Sequence, residues 1–252
     1  MQVSEPDHPQ RAGAPRRHEF ASGNLHAMAR TRANDYDQKR LGILARSAKL
    51  FAEHGYTGTS ITMIADACGV SKALMYHYYR SKDAVLFDLL ADHLQHLVSV
   101  MEEATQQAEP SERLFAISAA LLEAYRGADA EHQVQISSLK LLPPEQQDDL
   151  KALERRLVVL MSDAIAPAIP AAAAKPQLLK PLTMSLFGML NWHYLWFRDG
   201  KGLSREAYAQ MATTLMIAGA EQAIAAVDGA AEQPARAARK KSDAQVALAR
   251  RA

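Results

Sequence analysis

Apolar side chains recur at helical spacing along most of this sequence. Between residues 38 and 53 they fall on one helix face, at Leu41, Leu44, Ala48 and Phe51. Gly55 follows where a helix would end in a left-handed C-cap. No stretch alternates apolar and polar residues for long enough to predict a strand. The pattern therefore predicts an all-α protein of about nine helical segments.

The ends of the other predicted helices are marked by capping residues and prolines. Ser71, Ser81 and Ser204 are expected N-caps. Pro144 suits the first turn of a helix. The remaining helices are predicted over residues 61–68, 71–79, 81–105, 111–126, 129–142, 145–165, 176–198 and 204–227. The run 171–174, which contains only alanine and is flanked by prolines, is interpreted as a linker.

Composition narrows the class of protein. The chain has 252 residues, 48% of them hydrophobic and 23% charged, which is the balance of a globular protein of one or two domains. Its one cysteine, Cys68, excludes an internal disulfide framework and a cysteine-based zinc site. Residues 1–30 lack the apolar core of a secretory signal, and no apolar run reaches the roughly 18 residues of a membrane span. We therefore expect a cytoplasmic protein with no membrane partner.

Charge is distributed unevenly along the chain, although the net formal charge is only +1. Residues 36–82 carry seven Lys or Arg against three Asp or Glu, whereas residues 102–228 carry 11 against 16. The two ends, 1–35 and 229–252, lack apolar periodicity and are predicted to be disordered tails, the second of them basic. A basic block ahead of an acidic body indicates an anionic partner for the first part of the chain.

Residues 59–82 have the pattern of two short helices joined by a tight turn. Ala65 supplies the small side chain that a close helix crossing needs, and Gly69 tolerates the positive φ of the turn. The apolar residues expected to hold the pair together are Ile61, Ile64, Val70 and Leu74. The residues that the second helix offers outward are Lys72, Ala73, Tyr76 and His77. Such a helix is long enough to lie in a DNA major groove with its first residues at the base edges.

Three motif pieces fall in this region at characteristic spacings. They are residues 51–61 (FAEHGYTGTSI), 64–72 (IADACGVSK) and 76–82 (YHYYRSK). Together they resemble the DNA-binding domain of TetR/AcrR-family repressors, which carry alanine at the position of Cys68 and phenylalanine at that of Tyr79. The resemblance covers residues 36–97 and implies a three-helix helix-turn-helix DNA-binding domain there. A helical effector-binding and dimerisation domain is then expected over residues 98–228.

The resemblance implies a role for each residue that matches the family's motif. The residues that would approach bases or phosphates are Ser71, Lys72, Ala73, Tyr76, His77 and Tyr78. Lys82 would hold a phosphate at the start of the fourth helix, and Thr59 and Ser60 would contact the DNA backbone from the start of the second. Plainer roles stay open: Thr59 as an N-cap, Tyr78 as a packing residue and Lys82 as a solvated lysine. Tyr79 is expected in the core.

The C-terminal half resembles the family only in being helical, and the family implies a ligand cavity and a dimer formed by the last two helices. Those helices, predicted over residues 176–198 and 204–227, are the most apolar pair, so a partner subunit is their expected cover. Residues 188–198 (GMLNWHYLWFR) are similar to family members that regulate fatty-acid, steroid and phenylacetate catabolism and often sense acyl-CoA thioesters. The pocket candidates are Tyr125, Met184, Phe187, Asn191 and Trp192. The alternative is that this stripe is core and dimer interface only.

These patterns predict a homodimeric transcription regulator that represses from a palindromic double-stranded DNA operator. A small-molecule effector, expected to be an acyl-CoA or aryl-CoA thioester, would release it. One alternative is a helical ligand-binding or interaction protein without a DNA role. Another is a hydrolase acting on thioesters, although no nucleophile–base pair suggests a catalytic residue. No cofactor or metal is expected, because His93 and His96 lack a third clustered ligand, and His132 and His193 are isolated in the sequence.

Overall fold

The computed structural model describes the backbone of residues 19–109 and 112–249 and the side chains of residues 35–109 and 112–228. Within these ranges every regular element is helical, which confirms the all-α prediction. The chain divides into two compact units, residues 1–43 and 44–252. The domain boundary that the resemblance places after residue 97 stays a prediction.

Ten α-helices occur in the described ranges, against about nine predicted. Their bounds are α1 Glu19–Gly58, α2 Ile61–Cys68, α3 Lys72–Tyr78, α4 Lys82–Gln107, α5 Arg113–Ala124, α6 Asp129–Ser138, α7 Pro144–Ala168, α8 Pro170–Ala173, α9 Pro176–Asn191 and α10 Arg205–Ala249. Short 3₁₀ turns follow two of these helices, Leu139–Leu141 after α6 and Trp192–Leu195 after α9.

The first and last helices run further than predicted. Helix α1 begins at Glu19, inside the segment expected to be a disordered tail, and α10 continues to Ala249 instead of ending near Val227. Both extensions are rich in Ala, Arg and other good helix formers, so they propagate a helix without having an apolar face. Apolar periodicity cannot detect such a helix. The remainder of the two predicted tails, residues 1–18 and 250–252, lies outside the described residues.

The proline-rich region also departs from prediction. The expected linker at 171–174 is part of a four-residue helix, α8, because alanine is the strongest helix former and Pro170 suits the first helical position. Helix α9 ends at Asn191 and not at Arg198, since the chain tightens there into the 3₁₀ turn.

A single apolar core holds α4, α5, α7, α9 and α10 together. Its most completely buried side chains include Leu86, Leu90, Leu94, Met101, Leu114, Ile117 and Leu121. Helix α4 is long and apolar enough by composition to cross a membrane, yet half of that stretch is buried and the helix packs against α5 and α7. It is the central helix of the bundle. Helices α2 and α3 precede it in the chain, and α5 and α7 pack along it.

Candidate DNA-binding surface and ligand cavity

Helices α2 and α3 are joined by a turn that begins at Gly69. Ser60 and Ser71 each cap a helix, because their hydroxyls accept hydrogen bonds from the backbone N–H of Met63 (3.2 Å) and of Leu74 (3.1 Å). Gly69 ends α2 with φ of 66°, in the left-handed region that glycine adopts most easily. The predicted stop at Gly69 and the predicted cap at Ser71 are confirmed, and Ser60 is the cap of α2.

One strip of α3 is open to solvent. Its exposed residues are Lys72, Ala73, Tyr76 and His77. The strip brings an ammonium, a methyl group, a phenol and an imidazole to one side of the helix, as their spacing requires. Groups of these kinds reach phosphates and base edges in a major groove. Tyr78, the next residue, is half-buried, and its ring packs edge-on to that of His77 at 5.8 Å.

The sequence predicted that Leu74 anchors α3 to the rest of the domain. In the structure the anchoring apolar residue is Met75. Leu74 is 39% exposed, whereas Met75 is completely buried. Tyr79, one helical turn beyond Met75, is also buried, and its hydroxyl donates to Asp88 on α4. The expectation that Tyr79 lies in the core is confirmed. The buried stripe of α3 therefore runs through positions 75 and 79, and this turns the opposite strip outward.

Thr59 is turned into the protein. Its side chain is buried, and its hydroxyl donates to the carbonyls of Gly55 (2.9 Å) and Leu50 (3.1 Å) in α1. The carbonyls near the end of α1 need such donors, because the helix is kinked at Gly55, whose φ is 72°, shortly before it ends at Gly58. The side chain of Thr59 therefore closes the end of α1, and a contact of this residue with the DNA backbone stays a prediction.

Lys82 is half-buried and is hydrogen-bonded within the protein. Its Nζ donates to the carbonyls of Tyr56 (2.6 Å) and Thr59 (2.8 Å) and lies 4.2 Å from the centroid of the Tyr56 ring. Tyr56 in turn donates its hydroxyl to Asp83, and burial together with this hydrogen bond raises the pKa of the phenol. The sequence did not predict this arrangement, in which two of the three donors of the Lys82 amine serve protein carbonyls. It ties the start of α4 to the end of α1. The contact of Lys82 with a phosphate stays a prediction.

A cavity of about 640 Å³ lies among α4, α6, α7 and α9, a volume typical of small-molecule sites. Its walls are formed by Leu97, Tyr125, His132, Gln135, Lys151, Glu154, Arg155, Leu157, Val158, Val159, Ser162, Lys180, Met184, Phe187 and Asn191. Four of the five predicted pocket residues are in this wall. The fifth, Trp192, is not among the lining residues, and 51% of it is exposed.

The polar end of the cavity is built around His132. Its Nε2 lies 3.1 Å from the carbonyl oxygen of Asn191, whose side chain accepts a hydrogen bond from the Tyr125 hydroxyl at 2.8 Å. Burial lowers the pKa of His132 to about 4, so the ring is neutral near pH 7. His132 is therefore not isolated in the fold. Sequence reasoning missed it because Asn191 is 59 residues away along the chain.

Basic side chains lie along another part of the wall. Lys151 and Arg155 are one turn apart on α7, and Lys180 faces the same cavity from α9. Lys151 has Asp148 at 3.9 Å. Among the residues that the structure describes, Arg155 and Lys180 form no ion pair. Two uncompensated cations beside an apolar cavity suit a ligand with an apolar part and an anionic part.

Comparisons with known proteins agree with this architecture. Residues 43–89 match the profile of the bacterial regulatory proteins of the tetR family, and residues 107–220 match the tetracyclin repressor-like C-terminal domain. A TetR-family transcriptional regulator from Bordetella parapertussis 12822 is 36% identical, with a TM-score of 0.66 over 70% of this chain and 93% of that one. This chain belongs to the TetR family.

Other TetR-family relatives are similar over most of their length. The transcriptional repressor KstR2 of Mycolicibacterium smegmatis is 24% identical over 73% of this chain and 91% of its own. AibR, solved in complex with isovaleryl coenzyme A and operator DNA, is 27% identical, with a TM-score of 0.61 over 71% of this chain and 98% of that one. One of these relatives is thus a transcriptional repressor, and the other binds operator DNA.

Proposed function

We propose that this TetR-family protein is a homodimeric repressor that binds a palindromic operator and is released by a small-molecule effector. The observation that carries the proposal is that one chain combines the exposed α3 strip with a cavity to which α2 and α3 contribute no residue. DNA and effector can then be bound at the same time by different surfaces. Such a protein acts in the cytoplasm, where bacterial DNA lies.

The exposed strip of α3 is the proposed reader of the operator. Lys72 would donate to a guanine edge or a phosphate, and Ala73 would touch a thymine methyl group. Tyr76 and His77 project from the same strip. Ser60 and Ser71, which are exposed, and Tyr78, which is half-buried, would contact backbone phosphates. Lys82 would act indirectly, by joining the start of α4 to the end of α1, because its amine already donates to two carbonyls.

The outer face of α10 is the proposed dimer interface. One stripe of this helix, Tyr208, Ala212, Met216 and Ala220, is buried within the subunit. A second stripe points outward and is also apolar or small: Met211, Leu215 and Ala218 are exposed. An apolar outer stripe on a helix that is already packed on its other side needs a further partner. A second copy of the chain would also supply the second α3 that a palindrome requires.

The effector is proposed to be an acyl-CoA or a related anionic molecule with an apolar part. The cavity offers an apolar wall that includes Leu157, Met184 and Phe187 to such a part, and methionine adapts to varied shapes. Arg155 and Lys180 would face its anionic groups. The isovaleryl coenzyme A bound by AibR supports this class of ligand.

Helix α6 is the proposed connection between the cavity and the DNA-binding helices. His132 and Gln135 face the cavity, whereas the side chain of Gln133, between them, donates to the carbonyl of Ala52 in α1 at 3.3 Å. A ligand that shifts α6 would therefore act on the helix that precedes α2. Release from DNA requires that the effector bind the DNA-free arrangement more tightly.

The test is fluorescence anisotropy of the full chain on the DNA upstream of its own coding sequence. We expect binding at least about 10³-fold tighter than to shuffled DNA of the same length, a steep fall with salt, and weakening when an acyl-CoA is added. Lys72→Ala should lose most of the preference for the specific DNA, while Lys201→Ala, an exposed lysine of the acidic body, should keep it. Equal binding of both DNAs, or none in dilute salt, would contradict the proposal.

A further inference from the structure

Two residues that line the cavity each carry a buried acceptor atom that has no hydrogen-bond donor from the protein. The two atoms are Nδ1 of His132 and Oε1 of Gln135. Both residues belong to α6, three positions apart, so both lie on one side of the helix. His132 is among the most buried polar residues of the described chain, at 3% exposure. A buried acceptor without a hydrogen-bond donor lowers the stability of the protein. Such an atom therefore indicates that a ligand in this cavity supplies a donor.

The proton of the His132 ring is on the other nitrogen. A carbonyl oxygen only accepts, so the contact between Nε2 and the Asn191 carbonyl requires N–H at Nε2. The ring is neutral, because burial depresses its pKa. A neutral imidazole with its proton at Nε2 has a bare lone pair at Nδ1. Nδ1 can therefore accept a hydrogen bond and cannot donate one.

The orientation of Gln135 follows from its neighbour. Its Nε2 donates to Oε1 of Glu154 at 3.0 Å, which leaves the amide oxygen turned away from the carboxylate. The rings of Tyr125 and Tyr194 pack against that of His132, with centroids 4.7 Å and 5.4 Å away, and the nearer ring carries the Tyr125 hydroxyl. That hydroxyl is already committed to Asn191. The wall therefore has unpaired acceptors at His132 and Gln135, and the nearby donors of Tyr125 and Gln135 are already paired within the protein.

From this arrangement we infer that the cavity selects effectors whose buried part carries a hydrogen-bond donor, a hydroxyl or an amide N–H, directed at His132 Nδ1 and Gln135 Oε1. The inference rests on the proposed function, since it specifies the ligand of the same cavity. A saturated chain leaves both acceptors unpaired. A ketone in place of the hydroxyl brings a third acceptor close to His132 Nδ1 and Gln135 Oε1, so a ligand that carries it binds more weakly still.

The experiment compares three CoA thioesters with one carbon skeleton: 3-hydroxyoctanoyl-CoA, octanoyl-CoA and 3-oxooctanoyl-CoA. The CoA part is the same in all three, so only the acyl substituent differs. Calorimetry on the full chain should show the hydroxyl compound binding about tenfold more tightly than octanoyl-CoA, which corresponds to one hydrogen bond to a buried acceptor, with the oxo compound weakest. A second probe pair, cyclohexanol and cyclohexanone, tests the same preference without CoA.

Variants of His132 separate this role from a structural one. His132→Leu should lose the preference for the hydroxyl, whereas His132→Asn, which can place an oxygen where Nδ1 lies, should keep most of it. His96→Phe, an exposed histidine on α4 outside the cavity, is the control and should leave the preference unchanged. The ¹⁵N resonance of His132 Nδ1 in the wild-type protein should move upfield with the hydroxyl probes and stay in place with the others.

The outcomes distinguish the inference from the proposed function. If the three thioesters bind within about twofold of each other, or if the His132 Nδ1 resonance never moves, the inference is wrong while effector binding stands. If no probe of either set binds, the inference and the effector class fall together. Operator binding, measured on the same sample, remains an independent result in each case.

Discussion

His132 and His93 form a buried pair behind the cavity, with ring centroids 6.4 Å apart. Burial is the main cause that lowers the pKa of His93 to about 3 and that of His132 to about 4. A charge on His132 further disfavours a charge on His93, and a charge on His193 does the same to His132. The folded protein therefore excludes the imidazolium form at both positions, and its stability depends on pH.

We expect the free energy of unfolding to fall by about 1 kcal/mol per histidine between pH 7 and pH 5.5. An unfolded histidine takes up a proton below its ordinary pKa near 6.5, whereas folded His93 and His132 do so only near 3 and 4. Stability is complete above pH 6.5 and is lost as the pH falls toward those values. Urea unfolding at several pH values measures this.

His93→Leu is the matched variant for that measurement. It should remove about a third of the pH dependence, because burial also lowers the pKa of His132 and His193, so that one of three such histidines is gone. The exposed His54→Leu should leave the dependence as in the wild type. Unfolding free energies that are equal at pH 7 and pH 5.5 would show that the two rings accept protons in the folded state.

Lys82 gives a second test at the scale of one residue. Lys82→Met should lower the free energy of unfolding by about 1–3 kcal/mol, because the carbonyls of Tyr56 and Thr59 lose their donor. Operator affinity of the folded variant should keep the salt dependence of the wild type, whereas Lys72→Met should reduce the slope by about one. An unchanged stability with a flatter slope would place the Lys82 amine on a phosphate instead.

At the scale of helices, the sequence predicted the helix ends that are fixed by nearby residues. Gly69 and Ser71 mark ends of α2 and α3 through backbone conformation and capping, which need no distant partner. The sequence could not show that Met75, and not Leu74, is the buried residue of α3. A helix of seven residues is too short for the spacing of its apolar residues to show which face is buried. The short α8 was missed because alanine between prolines suits both a linker and a helix.

Helix α6 provides the prediction at this scale. Gln133→Leu should leave operator binding and effector binding close to wild type, but the effector should weaken DNA binding several-fold less. The reason is that the hydrogen bond to the Ala52 carbonyl is lost while the cavity wall and α3 stay intact. Anisotropy with and without octanoyl-CoA measures the coupling.

Gln95→Leu, an exposed glutamine on α4, is the control for that variant and should keep full coupling. Full coupling in Gln133→Leu as well would mean that the signal reaches α1 by another route, through α4.

At the scale of the whole chain, the resemblance to the TetR family pointed to residues of the cavity wall, whereas the packing of the helices determines which polar groups join them. The resemblance pointed to Tyr125, Met184, Phe187 and Asn191, all of which lie in the wall. The sequence could not show that α6 and α7 add His132 and Arg155, because these segments meet only when the bundle is folded. Trp192 belongs to the exposed 3₁₀ turn after α9.

The proposed dimer is tested at Leu215, which is 60% exposed on the outer stripe of α10. Leu215→Glu should give a monomer in analytical ultracentrifugation and should lose most of the operator affinity, since one helix-turn-helix unit makes half of the contacts. Ile136→Glu, an equally apolar exposed residue on α6, should stay dimeric. A dimeric Leu215→Glu protein would move the interface away from α10.

The central claim is that paired α3 helices lie in successive major grooves of one operator. Hydroxyl-radical footprinting of the full chain on bound genomic fragments tests it most directly. The account predicts two symmetric protected regions, with centres about 34–36 Å or a multiple of this apart, that disappear for a protein carrying Lys72→Ala and Tyr76→Ala. Protection that is absent in dilute salt, or that persists unchanged in the doubly substituted protein, would contradict it.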